Sequence, residues 1–355
     1  MKKQAGQTAL SHLIHLSDLD DTTLNRLLEK ASELKYRGHA SGLARGKVLG
    51  MIFFNPSLRT RMSFETAACH LDAGVSVVQP GQGAWTFETR TGTVMDGDRT
   101  EHLKEAVQVI SRYVDAIGVR AFASFQNQED DLRDTLVRDI ASYASVPVIN
   151  MESAREHPCQ ALADGMTLRE RFPEGLKNRK FVLSWATHPR PLPMAVPHSA
   201  LEIAARLGLK VTLTCPEEMI PGRQILDKVE KQTAAHGHTM DIEPDRKKAF
   251  DKADVVYVKS WASPLIYTDP DTEKSLRTDT FSDWTFTGEW LNKTAGAGFM
   301  HCLPVRRNVV VSDDVLDGPN SWHLEQAENR LHVQKALLLQ LWNSEQSKYY
   351  RKDVS

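Results

Sequence analysis

The sequence has few cysteines and no long hydrophobic run. Its 4 cysteines are scattered at Cys69, Cys159, Cys215 and Cys302 without a C-x-x-C pair, which argues against a disulfide framework and a structural zinc site. Nowhere do about 18 apolar residues follow one another, and the N-terminal stretch lacks the unbroken apolar region of a signal peptide. These absences predict a cytoplasmic protein with no membrane partner.

Neither sign of charge predominates. There are 44 Lys and Arg residues against 46 Asp and Glu, and 41% of the residues are hydrophobic, as in an ordinary globular protein. This balance excludes a bulk preference for nucleic acid or an anionic membrane. Binding of an anion would therefore depend on a local cluster of basic groups.

The common nucleotide-binding loops are also absent. The stretch PGQGAWTF at residues 80–87 contains G-x-G without a third glycine, and no G-x-x-x-x-G-K-[ST] occurs, which excludes a dinucleotide fingerprint and a P-loop. His157 and Cys159 stand together at a predicted helix start, but no partner lies at metal-ligand spacing. We therefore expect neither a cofactor nor a metal ion.

Short apolar or β-branched runs alternate with amphipathic segments of helical length along the chain. This alternation predicts the α/β class, with two doubly wound parallel sheets. The predicted strands are residues 48–54, 75–78, 116–119, 146–150, 181–184, 211–215, 239–242, 255–258 and 298–301. The predicted helices are residues 57–71, 101–113, 132–143, 159–171, 194–207, 223–236 and 324–343.

A length of 355 residues suits two domains better than one. We predict a first domain over residues 1–153, joined by a C-terminal helix over 324–345, and a second over 154–323, with the active site in the cleft between them. Residues 260–296 show no clear period and are predicted to form an irregular loop that is mobile or faces the substrate.

Ligands of open parallel sheets bind beyond the carboxyl ends of the strands. Polar or charged residues follow six predicted strands at this point, namely residues 57–60, Arg120, Glu152, His188, Lys259 and residues 302–307. In FFNPSLRTR, at residues 53–61, a strand gives way to a helix start that carries hydroxyl and guanidinium groups, a suitable phosphate site. The alternative is that Ser57 is only an N-cap, with surface arginines behind it.

Two other segments have more than one interpretation. His157 and Gln160, at a helix start, could donate hydrogen bonds to a carbonyl oxygen that gains charge during nucleophilic attack. Trp85 lies in a glycine-rich loop, where it either packs locally or reaches across a subunit boundary.

Five motifs occur in the order and approximate spacing found in the aspartate/ornithine carbamoyltransferase superfamily. They are SLRTR at 57–61, GVR at 118–120, HPCQALAD at 157–164, HCLP at 301–304 and AENRLHVQKA at 327–336. The segments GAW, MDGD, VINME, KSW and HCLPVRRN resemble those of N-acylornithine carbamoyltransferases within it. The resemblance implies transfer of a carbamoyl group to an N-acylornithine in arginine biosynthesis, with no metal or cofactor.

The resemblance also implies roles for individual residues. Carbamoyl phosphate is expected to be bound by Ser57, the backbone of Leu58, Arg59, Thr60, Arg120, His157, Gln160, Cys302, Leu303 and Arg330, with Trp85 donated by a neighbouring subunit of a homotrimer. Among these, Arg59, Thr60, Arg120, His157, Gln160 and Cys302 are expected at the reacting centre. The acylornithine is expected to contact Glu152, His188, Lys259 and Arg306.

Two positions bear on the acyl group. Members specific for the acetyl substrate carry a glutamate where this chain has Thr100 and a lysine where it has Val310. Without the glutamate, the second carboxylate of a succinyl group meets less repulsion, which favours N-succinyl-L-ornithine as substrate and N-succinyl-L-citrulline as product. N-acetyl-L-ornithine remains the alternative, because INME, HPCQ and ENRLHVQKA resemble the acetyl type. A non-catalytic anion-binding protein and an inactive homologue are further hypotheses.

Overall fold

The computed structural model describes residues 10–36 and 41–343. In this part of the chain the strands are β1 (Val48–Phe53), β2 (Gly74–Val78), β3 (Phe87–Glu88), β4 (Glu101–His102), β5 (Ala116–Arg120), β6 (Val148–Glu152), β7 (Lys180–Ser184), β8 (Lys210–Thr214), β9 (Asp241–Ile242), β10 (Val255–Val258) and β11 (Gly298–Met300). The helices are α1 (Asp21–Tyr36), α2 (Leu58–His70), α3 (Leu103–Ile110), α4 (Gln128–Arg133), α5 (Thr135–Tyr143), α6 (Pro158–Arg171), α7 (Ala195–Arg206), α8 (Arg223–Ala235), α9 (Arg246–Phe250), α10 (Pro270–Ser275), α11 (Gly288–Leu291), α12 (Asp313–Leu316) and α13 (His323–Trp342).

Two sheets organise the chain. The first has the order β2-β1-β5-β6, and the second has the order β11-β10-β7-β8-β9. β1 pairs in parallel with β2 and β5, while β7 pairs in parallel with β8 and β10. The predicted α/β class with two parallel sheets is confirmed.

Alternation of side chains explains why helices cover both faces of the second sheet. Along β10, Val255 and Tyr257 belong to one buried cluster, whereas Val256 and Val258 belong to another. Successive side chains of a strand point to opposite faces, so a strand that is apolar at every position must be covered on both.

Contacts within the chain define two units. The first comprises the described residues up to Ala121, Thr135–Met151 and the described residues from Leu331 onward; the second comprises Phe122–Asp134 and Glu152–Arg330. Residues 122–134, predicted as part of the first domain, therefore group with the second unit. Asp134 accepts hydrogen bonds from the Ser153 hydroxyl and the Arg155 amide, at 2.8 and 3.1 Å, which ties this segment to the start of that unit.

The helix α13 contributes residues to both units, with the division at Arg330. Within the first unit, the Lys335 ammonium on this helix donates a 3.1 Å hydrogen bond to the carbonyl oxygen of Leu34 on α1. The domain limits 1–153 and 154–323 stay a prediction.

Some elements differ from the sequence predictions. The helix α1 and the two-residue strands β3 and β4 were not predicted. The strands are too short to show alternation, whereas Leu24, Leu27 and Leu28 of α1 recur at helical spacing and were a usable signal. The prediction of an irregular segment at 260–296 is wrong in part, since it holds α10, α11, a 3-10 turn at Pro264–Tyr267 and a π-helical turn at Leu276–Thr280. Within the described ranges, no helix is both long and apolar enough to cross a membrane.

Candidate active site

The residues of the first unit that are predicted to bind phosphate lie where β1 passes into α2. Ser57 has extended backbone angles, and its hydroxyl accepts a 3.2 Å hydrogen bond from the Thr60 amide. It therefore caps the helix, as the alternative interpretation required. This cap does not exclude phosphate binding, because the start of a helix favours a bound anion through its amides and its dipole.

The two arginines of the SLRTR motif have different surroundings. Arg61 is exposed on α2, and its guanidinium group pairs with Glu65 one turn later at 2.9 Å. Arg59 is half-buried, and the neighbouring Thr60 is fully buried. Since positions two residues apart on a helix point about 200° apart around its axis, Arg61 is separated from the side that Arg59 occupies.

Strand register brings Arg120 to the same edge of the first sheet. Phe53, the last residue of β1, pairs with Arg120, the last residue of β5. The Phe54 amide then donates a 3.0 Å hydrogen bond to the Arg120 carbonyl. Arg120 is buried, and its backbone lies beside the start of the loop that leads to Ser57.

Trp85 and Thr100 are connected by the small β3–β4 pair. Trp85 is 55% exposed, and its indole Nε1 donates a 2.7 Å hydrogen bond to Glu101 Oε2. Glu101 begins β4 and follows Thr100, which is also exposed. The tight turn before Trp85 places Gly81 and Gly83 at positive φ, where glycine carries no steric penalty. One structural element thus presents both residues to the surface.

In the second unit, Glu152 and His157 lie together where β6 passes into α6. His157 is buried, and its Nε2 lies 3.5 Å from Glu152 Oε2. Pro158 occupies the first turn of α6, where a missing amide hydrogen is harmless. The His157 amide donates a 2.8 Å hydrogen bond to the Ser199 hydroxyl of α7, which fixes the backbone at this residue.

A buried charged cluster supports the loop before His157. Donor atoms of Glu156, His198 and Glu202 lie within 4.8 Å of one another, a spacing that a metal ion could use. However, the Lys228 ammonium already lies 3.0 Å from Glu156 and 2.7 Å from Glu202. Because a cation of the chain itself pairs with both carboxylates, we interpret this cluster as a structural ion-pair network.

Gln160, Cys302 and Lys259 form a connected group. The Cys302 thiol donates to Gln160 Oε1 at 3.4 Å, and the Lys259 ammonium donates to the Cys302 carbonyl at 3.0 Å. Burial raises the pKa of the Cys302 thiol, so the sulfur stays protonated at neutral pH and is a poor nucleophile. This agrees with a reaction that needs no covalent intermediate on cysteine.

His188 and Arg306 are brought into direct contact. Arg306 Nε donates to His188 Nε2 at 3.1 Å, which requires a neutral imidazole with its hydrogen on Nδ1. That nitrogen lies 2.8 Å from the Arg190 carbonyl oxygen and 3.0 Å from the Arg190 amide nitrogen. Because Nε2 accepts from Arg306, the hydrogen belongs on Nδ1, which donates to the carbonyl. Burial lowers the pKa of His188 to about 4, with further lowering by the charges of Arg306, Lys259 and Arg277, so the ring is neutral at pH 7.

Sequence reasoning missed the ion pair that supports His188. Arg277 and Glu273 are both buried, with Arg277 Nε 2.9 Å from Glu273 Oε1. The same guanidinium group donates to the His188 carbonyl at 2.5 Å. Their i, i+4 spacing was a usable signal, but the assignment of this region to an irregular loop concealed it.

The other predicted residues have varied positions. Leu303 is half-buried and follows Cys302. Arg330 is buried near Cys159 and Cys302. Burial raises the pKa values of both thiols, and the charge of Arg330 lowers them by a smaller amount. Val310 is 2% exposed and belongs to an apolar cluster of the second unit. The structure therefore gives Val310 a packing position.

Comparison with known proteins identifies the family. Residues 11–170 match the carbamoyl-P binding domain of aspartate/ornithine carbamoyltransferase, and residues 194–341 match its Asp/Orn binding domain. The chain belongs to the aspartate/ornithine carbamoyltransferase family. The family predicted from the five motifs is thus confirmed, and the protein is a carbamoyltransferase.

Relatives of both acyl types resemble this carbamoyltransferase. It is 42% identical over 335 residues to N-acetylornithine carbamoyltransferase of Xanthomonas campestris, covering 94% of this chain and 98% of that one. It is 40% identical over 316 residues to N-succinylornithine carbamoyltransferase of Bacteroides thetaiotaomicron, covering 89% and 93%. Such close values do not decide between the two substrates.

Solved structures of similar proteins include substrate complexes. Acetylornithine transcarbamylase complexed with acetylcitrulline matches the carbamoyltransferase with a TM-score of 0.90 and 42% identity, covering 94% of this chain and 99% of that one. A variant of N-acetyl-L-ornithine transcarbamylase with a glutamate replaced by proline, complexed with carbamyl phosphate and N-succinyl-L-norvaline, also gives 0.90 and 42%, covering 94% and 100%.

Proposed function

We propose that this carbamoyltransferase transfers the carbamoyl group of carbamoyl phosphate to the δ-amine of N-succinyl-L-ornithine, which gives N-succinyl-L-citrulline and phosphate in arginine biosynthesis. Binding of carbamoyl phosphate is supported by one observation: Arg120 pairs with the last residue of β1, just before α2 begins at the Ser57 cap. Helix amides and two guanidinium groups suit a phosphate dianion.

The first unit would hold the phosphate through Ser57, the Leu58 amide, Arg59, Thr60 and Arg120. Guanidinium groups neutralise the charge that builds on the leaving phosphate, and this electrostatic stabilisation grows as the bond from carbon to the bridging oxygen breaks. Binding and orientation of the two substrates supply the rest of the rate.

The second unit would supply contacts to the carbamoyl group and to the acceptor. His157 and Gln160 stand at the start of α6, and Cys302 and Leu303 follow β11. In the reaction the neutral δ-amine forms a bond to the carbamoyl carbon, the carbon–oxygen bond to phosphate breaks, and the amine proton passes to the leaving phosphate. Backbone carbonyls of Cys302 and Leu303 can orient an N–H group, but they are too weakly basic to take its proton.

The acylornithine would be held by Glu152, His188, Lys259 and Arg306. The neutral ring of His188 accepts from Arg306 Nε, which leaves the terminal nitrogens of this guanidinium group for a carboxylate of the substrate. A bidentate contact of this kind is the strongest that arginine makes with a carboxylate.

Support for the succinyl substrate comes from Thr100. This neutral side chain is exposed beside the Trp85–Glu101 hydrogen bond, where the acetyl type carries a glutamate. The solved variant in which proline replaces a glutamate holds N-succinyl-L-norvaline, which agrees with removal of a repelling charge. Burial of Val310 in an apolar cluster restricts any effect of this residue on the acyl group to an indirect one.

We also propose that the enzyme is a cytoplasmic homotrimer in which Trp85 serves the active site of a neighbouring subunit. The support is the exposure of the indole ring together with its fixed orientation on Glu101. A large exposed aromatic group whose ring N–H is hydrogen-bonded is suited to an intersubunit contact.

The direct test offers carbamoyl phosphate with N-succinylornithine, N-acetylornithine or ornithine in separate assays of ureido product. We expect the highest kcat/KM with N-succinylornithine. A preference for N-acetylornithine would keep the enzyme class and reject the succinyl assignment. Activity with ornithine alone would reject an acylated acceptor, and phosphate binding without any product would favour the anion-binding alternative.

Replacement of Thr100 by glutamate should lower kcat/KM for N-succinylornithine by about tenfold, because a carboxylate then faces the second carboxylate of the succinyl group. Thr100→Gln is the matched control, since it adds the same volume without charge. The ratio of kcat/KM for the succinyl and acetyl substrates is the quantity to measure. Equal ratios in the wild type and Thr100→Glu would show that this position does not contact the acyl group.

A further inference from the structure

We propose that Asp164 and Gln326 are positioning residues that fix the orientation of the Gln160 amide, so that its oxygen and not its nitrogen faces Cys302 and the carbamoyl group. This inference rests on the proposed function, because it assigns a carbamoyl contact to Gln160. Neither Asp164 nor Gln326 was selected from the sequence. The available signal was the i, i+4 spacing of Gln160 and Asp164 on one face of α6.

The network begins at a donor whose identity is certain. The backbone amide of His301 can only donate, and it donates to Gln326 Oε1 at 2.8 Å. The NH₂ group of Gln326 must therefore lie at the other end, where it donates to Asp164 Oδ1 at 2.8 Å. Oδ1 is thus required to be an acceptor.

The same oxygen then determines the orientation of Gln160. Gln160 Nε2 lies 2.8 Å from Asp164 Oδ1, and the reverse orientation would place two acceptor oxygens against each other. Asp164, Gln160 and Gln326 are each at most 2% exposed, so water cannot relieve such a clash. Two buried acceptors in contact are both left without a hydrogen bond, so the reverse orientation is strongly disfavoured.

With its nitrogen held by Asp164, Gln160 presents its oxygen to the other side. Gln160 Oε1 accepts from the Cys302 thiol at 3.4 Å, a weak bond that leaves acceptor capacity on the oxygen. The carbamoyl group carries an NH₂ donor that the methyl group of acetyl phosphate lacks. An oxygen that faces the carbamoyl group can accept from this NH₂ group, which favours carbamoyl phosphate over acetyl phosphate. The hydrogen bond to the carbonyl oxygen, which was expected from Gln160 on the basis of the sequence, would then come from other groups.

Protonation of Asp164 does not disturb this arrangement. Burial raises its pKa to about 7, against hydrogen bonds from Gln326 and Gln160 and the charge of Arg330, which lower it. Because Oδ1 accepts from two amides, a proton is confined to Oδ2. An asparagine at 164 can reproduce this state, with its oxygen at Oδ1 and its NH₂ at Oδ2, whereas a leucine cannot.

The test compares Asp164→Asn with Asp164→Leu in the full chain. Dissociation constants for carbamoyl phosphate and acetyl phosphate are measured by calorimetry, and folding is checked by thermal unfolding. We expect Asp164→Leu to weaken carbamoyl phosphate about tenfold, with acetyl phosphate weakened less than about twofold, and Asp164→Asn to retain most of the wild-type preference. Acetyl phosphate is the internal control because it uses the same phosphate contacts.

Two results would overturn the inference: an unchanged preference in folded Asp164→Leu, or an equal loss of preference in Asp164→Asn. If Asp164→Leu does not fold, Gln326→Met decides, since it removes one of the two amides that keep a proton off Oδ1, and a proton there can donate to the oxygen of a reversed Gln160. We expect the preference of Gln326→Met to fall more at about pH 6 than at about pH 9, as Asp164 becomes protonated; a preference equal to that of the wild type at both values contradicts the proposal.

The two levels of inference remain separable. A wild type that prefers carbamoyl phosphate but forms no product with any acceptor would reject the proposed function while the Asp164 comparison still stands. A wild type with no preference between the two acyl phosphates would reject the positioning role, even if turnover occurs.

Discussion

Replacement of Arg59 by alanine is expected to reduce kcat/KM for carbamoyl phosphate by about 10³-fold, because the leaving phosphate loses a guanidinium group whose interaction strengthens in the transition state. Arg59 lies on the first turn of α2, after the Ser57 cap. This helix follows β1, whose last residue pairs with Arg120. The effect should fall mainly on kcat, since charge accumulates on phosphate only as the bond breaks.

Arg61→Ala is the matched control for this experiment. It removes the same group two residues further along the same helix, where the guanidinium pairs with Glu65 at 2.9 Å. An exposed i, i+4 pair contributes about 0.3–0.5 kcal/mol, so folding and turnover should remain close to those of the wild type. If Arg59→Ala stayed active, or if both variants lost activity equally, the phosphate site would not lie where we place it.

Mixing two inactive variants should restore activity if Trp85 acts in a neighbouring subunit. Trp85→Ala should lose about 100-fold in activity, because the neighbouring phosphate site loses the indole ring that covers it. In closed trimers reassembled from equal amounts of Trp85→Ala and Arg59→Ala, about a quarter of the sites combine an intact Arg59 with an intact Trp85 from the adjacent subunit. About a quarter of wild-type activity is therefore expected after joint refolding.

The same mixture prepared without subunit exchange is the control, and it should remain inactive. Light scattering gives the mass of the reassembled species. Lack of recovery in trimers that contain both variants would show that Trp85 serves its own subunit. A wild type that is fully active as a monomer would show that catalysis does not use Trp85 of a neighbouring subunit.

The strands and long helices were accessible from sequence because their signals are local. Periodicity placed α2, α6 and β10 within a residue or two, since each has the apolar spacing of its element. The turns that carry Ser57 and His157 were also accessible, because a cap or a proline at a helix start is decided by neighbours in the chain.

Pairings between distant residues were not accessible in the same way. The hydrogen bond from Trp85 to Glu101 and the contact of Arg306 with His188 join positions that no periodicity connects. The Arg277–Glu273 pair was hidden for another reason, as short helices of mixed polarity do not produce a pattern that distinguishes them from a loop.

The sequence alone determined the α/β class, the order of the elements, the family and the residues at the strand ends, because these depend on local periodicity and on motifs that are short in the chain. Only the tertiary structure decided that Arg59 and Arg61 lie in different surroundings, that Val310 is buried, and that Gln326 meets Asp164 and Gln160 in one buried hydrogen-bond network. These properties arise from packing and from hydrogen-bond direction between segments far apart in sequence. A buried donor or acceptor must find its partner wherever the fold brings one, and the order of the residues does not state where that is.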